Sequence, residues 1–253
     1  MVHWDGKLMA DLCGKVHIDR LPVLVTGYGV SQLLKVCKMM GGTGANQSSA
    51  VVQALEDWNL QHRVIGMCFD TTSSNTGRHL GACIQIEQRL GRDLLHFACR
   101  HHIMELLAGA AFKASLGPSS APEVLLFKRF QQQWSLIDQS NYSTSVGVAR
   151  MSEVVGPVQD YICEFAKNQL LMNNDFRDDY REFLELSLIF LGDSPPRGIH
   201  FMAPGAMHFA QWMSKVIYSL KVWLFRGQFK LTAFEEKGLG DMCLFAVTLY
   251  LKS

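Results

Sequence analysis

The sequence predicts an α/β domain on a mixed five-stranded sheet, followed by an all-α region. Three observations carry this. The first 40 residues hold three strand-like segments punctuated by glycine. Residues 45 to 112 alternate helical segments with short apolar runs, the pattern of parallel strands joined by helices. From residue 122 onward the apolar spacing is helical.

Composition supports a folded chain and narrows its class. Of 253 residues, 48% are hydrophobic and 19% charged, enough to bury a sizeable core and too apolar for disorder. Lys plus Arg number 24 against 23 Asp plus Glu, a net charge of +1. That excludes a strongly basic nucleic-acid domain and an acidic tail, but not a local basic patch. Seven cysteines occur without a Cys-x-x-Cys pair, mostly in apolar runs, so a reducing compartment is expected rather than a disulfide framework. No apolar run approaches the roughly 20 residues that span a bilayer, so no membrane partner is expected. The opening Met-Val-His-Trp-Asp lacks signal-peptide character, and cytosol or nucleus follows as the compartment.

The elements follow in order. Val2 to Met9 reads as a short first strand. Leu21 to Thr26, apolar and β-branched, is the second, and Gly27 and Gly29 mark a turn into a third over Gln32 to Met39. Gly41-Gly42-Thr43-Gly44 breaks the pattern. It lacks the Gly-Lys-Ser/Thr ending of a phosphate loop and reads as a turn and helix start, with Thr43 or Asn46 as cap. A helix over 45–60 places Val51, Leu55 and Trp58 on one face. Val64 to Phe69 reads as a buried parallel strand ending in the polar loop Asp70 to Gly77, and a helix to about Leu90 turns Leu80, Ile84 and Leu90 inward. Leu94 to Cys99 is a further buried strand, and His101 to Phe112 a helix. Leu116 to Ala121 reads as a linker, which divides the chain into 1–115 and 116–253. A proline- and glycine-rich loop at 192–205 precedes helices over 206–226 and 232–251.

In a sheet of order 3-2-1-4-5, the first and fourth strands are neighbours. Asp5 and Asp70 then lie side by side near the carboxyl end of the fourth strand. Paired carboxylates repel unless a cation lies between them, and hard oxygen ligands suit Mg²⁺. The structural alternative makes Asp70 a helix cap and Asp5 a turn residue before Gly6. Cys99-Arg100-His101-His102 is a second constellation. Cys99 and His102 are zinc-ligand types, but no partner pair completes a tetrahedral site; the alternative is a buried strand-end cysteine and a packed histidine. Trp212, in a helix, reads as a core residue.

These residues together resemble the hAT superfamily of transposases, DDE-type recombinases on an RNase H-like fold with a helical insertion. The resemblance rests on Asp5 in strand one, on Asp70 with Asn75 and Gly77 after strand four, on Cys99 and His102 after strand five, and on Gln211-Trp212 late in the chain. It implies that Asp5 and Asp70 bind Mg²⁺ or Mn²⁺ for cleavage and strand transfer at transposon ends. It implies that Cys99 and His102 support the active-site architecture and the flipped base, and that Trp212 stacks near the hairpin end. Gln211 stands where the family has Arg. The family's third acid, a Glu after the insertion, has no clear match; Glu235 and Glu236 are the available candidates, and the core is expected to be incomplete. DNA as partner, assembly into a homo-oligomer and a nuclear location follow from the resemblance, or a cytoplasmic location for a relic. The alternatives are a domesticated, non-catalytic module that binds protein or DNA, and a metal-dependent nuclease of the same fold.

Overall fold

In the computed structural model, the chain forms two compact units, Met1–Ile103 and Met104–Ser253. The structure describes residues 1–10, 17–118, 124–172, 177–204 and 211–252; at 7–10, 211 and 212 it describes the backbone alone.

The first unit is built on one mixed sheet. β1 (Val2–Trp4) and β2 (Lys7–Ala10) are two segments of the expected first strand, interrupted at Asp5 and Gly6. Both pair antiparallel with β3 (His17–Gly27), and β4 (Val30–Lys38) pairs antiparallel with the other edge of β3. β1 also pairs parallel with β5 (Gly66–Phe69), and β5 parallel with β6 (Leu95–Ala98). The five strand positions therefore run in the expected order 3-2-1-4-5. The turn between β3 and β4 has positive φ at both Tyr28 (49°) and Gly29 (78°), as a two-residue hairpin matched to strand twist requires.

α1 (Gly44–Asp57) and α3 (Ala82–Leu90) pack together beneath the sheet. Their Val51, Leu55 and Ile86 join Val2, Trp4, Leu21, Val23, Met67 and Phe69 in one core. Thr43 caps α1, its hydroxyl accepting from the Asn46 amide, so the glycine-rich stretch is a helix start. Three expectations need correction here. Trp58 is exposed because α1 ends at Asp57 and the chain leaves the helical face. Leu80 is 80% exposed because it precedes Gly81, the cap of α3; Ala82, Cys83 and Ile86 turn inward instead. β6 is not buried: it is an edge strand paired on one side only, and Leu95 and Phe97 are 59% and 46% exposed.

The second unit is helical. α4 (Arg100–Leu116) is continuous across the unit boundary, so the division falls at 103/104 rather than at 115/116. The reason is packing: Ala108 and Phe112 bury in the helical core, and Leu116 still belongs to the helix. The remaining helices are α5 (Leu125–Gln133), α6 (Ala149–Val155), α7 (Gln159–Met172), α8 (Asp178–Phe190), α9 (Gln211–Leu224) and α10 (Ala233–Thr248), besides the short helix α2 (Ser73–Thr76) of the first unit. Of the helix expected over 206–226, residues 206–210 lie outside the described residues.

The helical core holds a buried charge pair. Lys221 on α9 is 0% exposed and pairs with Glu182 on α8, while its Nζ donates to the Met202 carbonyl at 2.6 Å. Burial pushes the Glu182 carboxyl up and the Lys221 ammonium down, each opposed by the other's charge. Removing one partner strands the other in an apolar interior. Lys221→Met is expected to cost about 3–5 kcal/mol in urea unfolding, and the double variant with Glu182→Leu to recover most of it.

Candidate functional site

Asp5, Asp70, Cys99 and His102 all follow the carboxyl ends of the parallel strands. The register pairs Val2 with Met67 and His3 with Cys68. β1 ends at Trp4 and β5 at Phe69, so Asp5 and Asp70 each directly follow a strand end. The rings of Trp4 and Phe69 stack at 5.4 Å, as that register requires. Alternation along β1 and β5 turns His3 and Cys68 to the opposite face of the sheet from the α1 and α3 core.

Asp70 is half-buried and held by its own loop. One carboxylate oxygen, Oδ1, accepts from the Thr72 amide at 3.0 Å, the Thr72 hydroxyl at 2.5 Å and the Asn75 Nδ2 at 2.7 Å. Burial raises the carboxyl's affinity for a proton, but these hydrogen bonds and the nearby His102 outweigh it and hold Asp70 below the usual aspartate range. Asn75, 3% exposed, turns its own oxygen to the Trp4 indole, Nε1 donating at 2.9 Å. The same indole N–H reaches Gln47 Oε1 at 3.2 Å, and Gln47 Nε2 donates to the Gly42 carbonyl at 3.0 Å.

Cys99 and His102 arrive at the same place from β6. The Cys99 amide donates to the Phe69 carbonyl at 2.7 Å, extending the parallel ladder by one bond. Its thiol meets that of Cys68, and burial together with Cys99 pushes the Cys68 thiol up. All six described cysteines are free thiols; Cys13 lies outside the described residues. Among the described residues, no group of three or more His, Cys, Asp or Glu is arranged to hold a metal ion.

The remaining candidates lie in the second unit. Glu235 belongs to a capping box at the start of α10: it accepts from the Thr232 amide at 2.8 Å while Thr232 Oγ1 accepts from the Glu235 amide. It also pairs with Arg129 at 2.7 Å. The signal for this was present in the sequence, since Thr232-Ala-Phe-Glu235 has the capping-box spacing. Glu236 is exposed at the rim of a pocket of about 290 Å³ whose wall includes Met151 and Trp223. The backbone of Trp212 lies in α9; its side chain and that of Gln211 lie outside the described residues.

Sequence reasoning missed Asn75 as the link between Trp4 and Asp70. The available signal was Trp4 itself, a buried donor that needs a partner. Compared with known proteins, the chain matches no family model, no curated protein and no solved structure.

Two outcomes follow. The loop behind Asp70 leaves no room at Gly44, where an added Cβ would stand 2.1 Å from the Leu80 carbonyl oxygen and 2.7 Å from that of Ser74. Gly44→Ala is expected to destabilise the first unit by about 1–3 kcal/mol, read from the hydrogen exchange of β5 amides. For Glu235, burial raises the carboxyl, but bonds from Thr232 and Arg129 outweigh it and depress its proton affinity. Its contribution is therefore present above the ordinary glutamate value of 4.5 and lost as pH falls through the lower folded value. Glu235→Gln is expected to lower the thermal midpoint at pH 7, and the gap to close at pH 3.

Proposed function

We propose that the first unit is an RNase H-like, transposase-derived core of hAT type, whose ancestral activity is divalent-metal-dependent DNA cleavage and strand transfer. The observation that supports this reading is that Asp5 and Asp70 each directly follow one of two adjacent parallel strands, β1 and β5, in a 3-2-1-4-5 sheet. The placement of His102 by Asp70, and of Cys99 on the extended ladder, supports it further. DNA is the partner on this reading, a homo-oligomer the working form and the nucleus its location.

The chemistry then divides among the chain's own residues. Asp5 and Asp70 would hold Mg²⁺ or Mn²⁺, which when bound supplies charge neutralisation at the scissile phosphate. Thr72 and Asn75 orient the Asp70 carboxylate. His102 adds a group of opposite charge beside Asp70 when protonated. Charge stabilisation of this kind weakens steeply when a ligand is missing. Glu235, committed to a capping box and an ion pair, is poorly suited as the third acid. That commitment favours a second reading, a domesticated module that keeps the fold and binds protein or DNA without cleaving it.

The test is cleavage of duplex DNA carrying the terminal repeats of the parent element, with Mg²⁺ or Mn²⁺. Weak, metal-dependent nicking without strand transfer is expected, falling at least about 100-fold in Asp5→Ala and in Asp70→Ala. Equal nicking by either variant would remove the assignment of that residue. DNA binding with no cleavage under either metal would favour the second reading.

A further inference from the structure

We propose that Cys68 and Cys99 are a redox-responsive pair, joined as a disulfide by a hydroperoxide and parted again by a thiol reductant, and that the bond staples the end of β6 to β5. The inference is independent of any metal or nucleic-acid role for the neighbouring Asp70.

Strand pairing brings the two thiols together. β5 and β6 run parallel, with Cys68 opposite Phe97 and Phe69 opposite Ala98. The Cys99 amide donates to the Phe69 carbonyl at 2.7 Å, so the ladder continues as far as Cys99. Alternation turns Phe97 and Cys99 to the face that Cys68 occupies, away from the α1 and α3 core. There the Cys68 and Cys99 side chains hydrogen-bond to each other.

Exposure sets the pair apart. Of the six described cysteines, Cys37, Cys83, Cys163 and Cys243 are buried, whereas Cys68 and Cys99 are half-buried, within reach of a small oxidant. Burial and the neighbouring thiol push the Cys68 thiol up, which suits it to the second step of the oxidation rather than the first. In the first step the Cys99 thiolate attacks a peroxide oxygen. The O–O bond breaks, the departing hydroxide takes back the proton that Cys99 gave up, and Cys99 becomes a sulfenic acid. The Cys68 sulfur then attacks the Cys99 sulfur. The S–O bond breaks, and the hydroxyl leaves as water with the Cys68 proton. Two thiols are oxidised to one disulfide and one peroxide is reduced. The product fastens β6, a four-residue edge strand paired on one side only.

The full chain, treated with hydrogen peroxide, alkylated, cut with trypsin and read by mass spectrometry, tests this. Trypsin places Cys68 in residues 64–78, Cys83 in 79–89 and Cys99 in 93–100, so each pairing has its own mass. The expected product is 64–78 joined to 93–100, abolished in Cys68→Ser and in Cys99→Ser and reversed by dithiothreitol. The Leu95 and Cys99 amides, bonded to Ile65 and Phe69, are expected to exchange about 10-fold more slowly in the oxidised chain, and at an unchanged rate in treated Cys68→Ser. Sulfinic or sulfonic acids without that cross-link, a cross-link from Cys99 to Cys13 or Cys83 in its place, or an equal yield of 64–78 joined to 93–100 in urea would overturn the pairing. A cross-link that leaves amide exchange unchanged would overturn the staple.

Discussion

Trp4 stands where the antiparallel hairpins of the sheet meet its parallel strands, and three interactions converge on its indole. The ring stacks on Phe69 of the neighbouring strand, and its N–H is shared between Asn75 and Gln47. Through Gln47 it reaches the glycine-rich start of α1, and through Asn75 the loop that carries Asp70. The parallel pairing of β1 and β5 is short, two register pairs, so it depends on such side-chain support. A buried indole N–H without acceptors would cost more than these bonds return, and that makes the arrangement specific as well as stable.

The glycines at the same junction have a packing role. Gly44 and Gly81 lie where backbone meets backbone: a Cβ on Gly81 would stand 2.5 Å from the carbonyl oxygens of both Asn75 and Gly77. Close approach of α1 and the 72–82 segment seals the polar network against solvent on the core side. Beyond the strand ends Asp5 is exposed and Asp70 half-buried. The helical unit solves a different problem with similar means. It places Lys221 and Glu182 inside an aromatic core and lets each hold the other's charge.

Much of the candidate site was legible because it sits at strand ends. A strand's length and apolar run locate its last residue, and a carboxylate there is visible in the sequence, as with Asp70. Cys99 and His102 were legible for the same reason. Asn75 was visible as part of the Asp70 loop but not as the link to the first strand. Its partner Trp4 lies 71 positions away in the chain, and no local pattern connects them. Glu235 was legible both as an acid and as a cap, since its spacing to Thr232 already described one.

Local chemistry determined the element types, the hairpin turn at Tyr28 and Gly29, the Thr43 cap and the change from α/β to all-α, because each depends on residues a few positions apart. Tertiary structure alone decided that β6 is an exposed edge, that Leu80 and Trp58 face solvent, and that α4 runs unbroken across the boundary between units. It also decided that the Thr72 and Asn75 hydrogen bonds to Asp70 fall on one oxygen. Periodicity reports which side of an element is apolar. It carries no information on whether another element arrives to cover that side, or on which distant donor reaches a given acceptor.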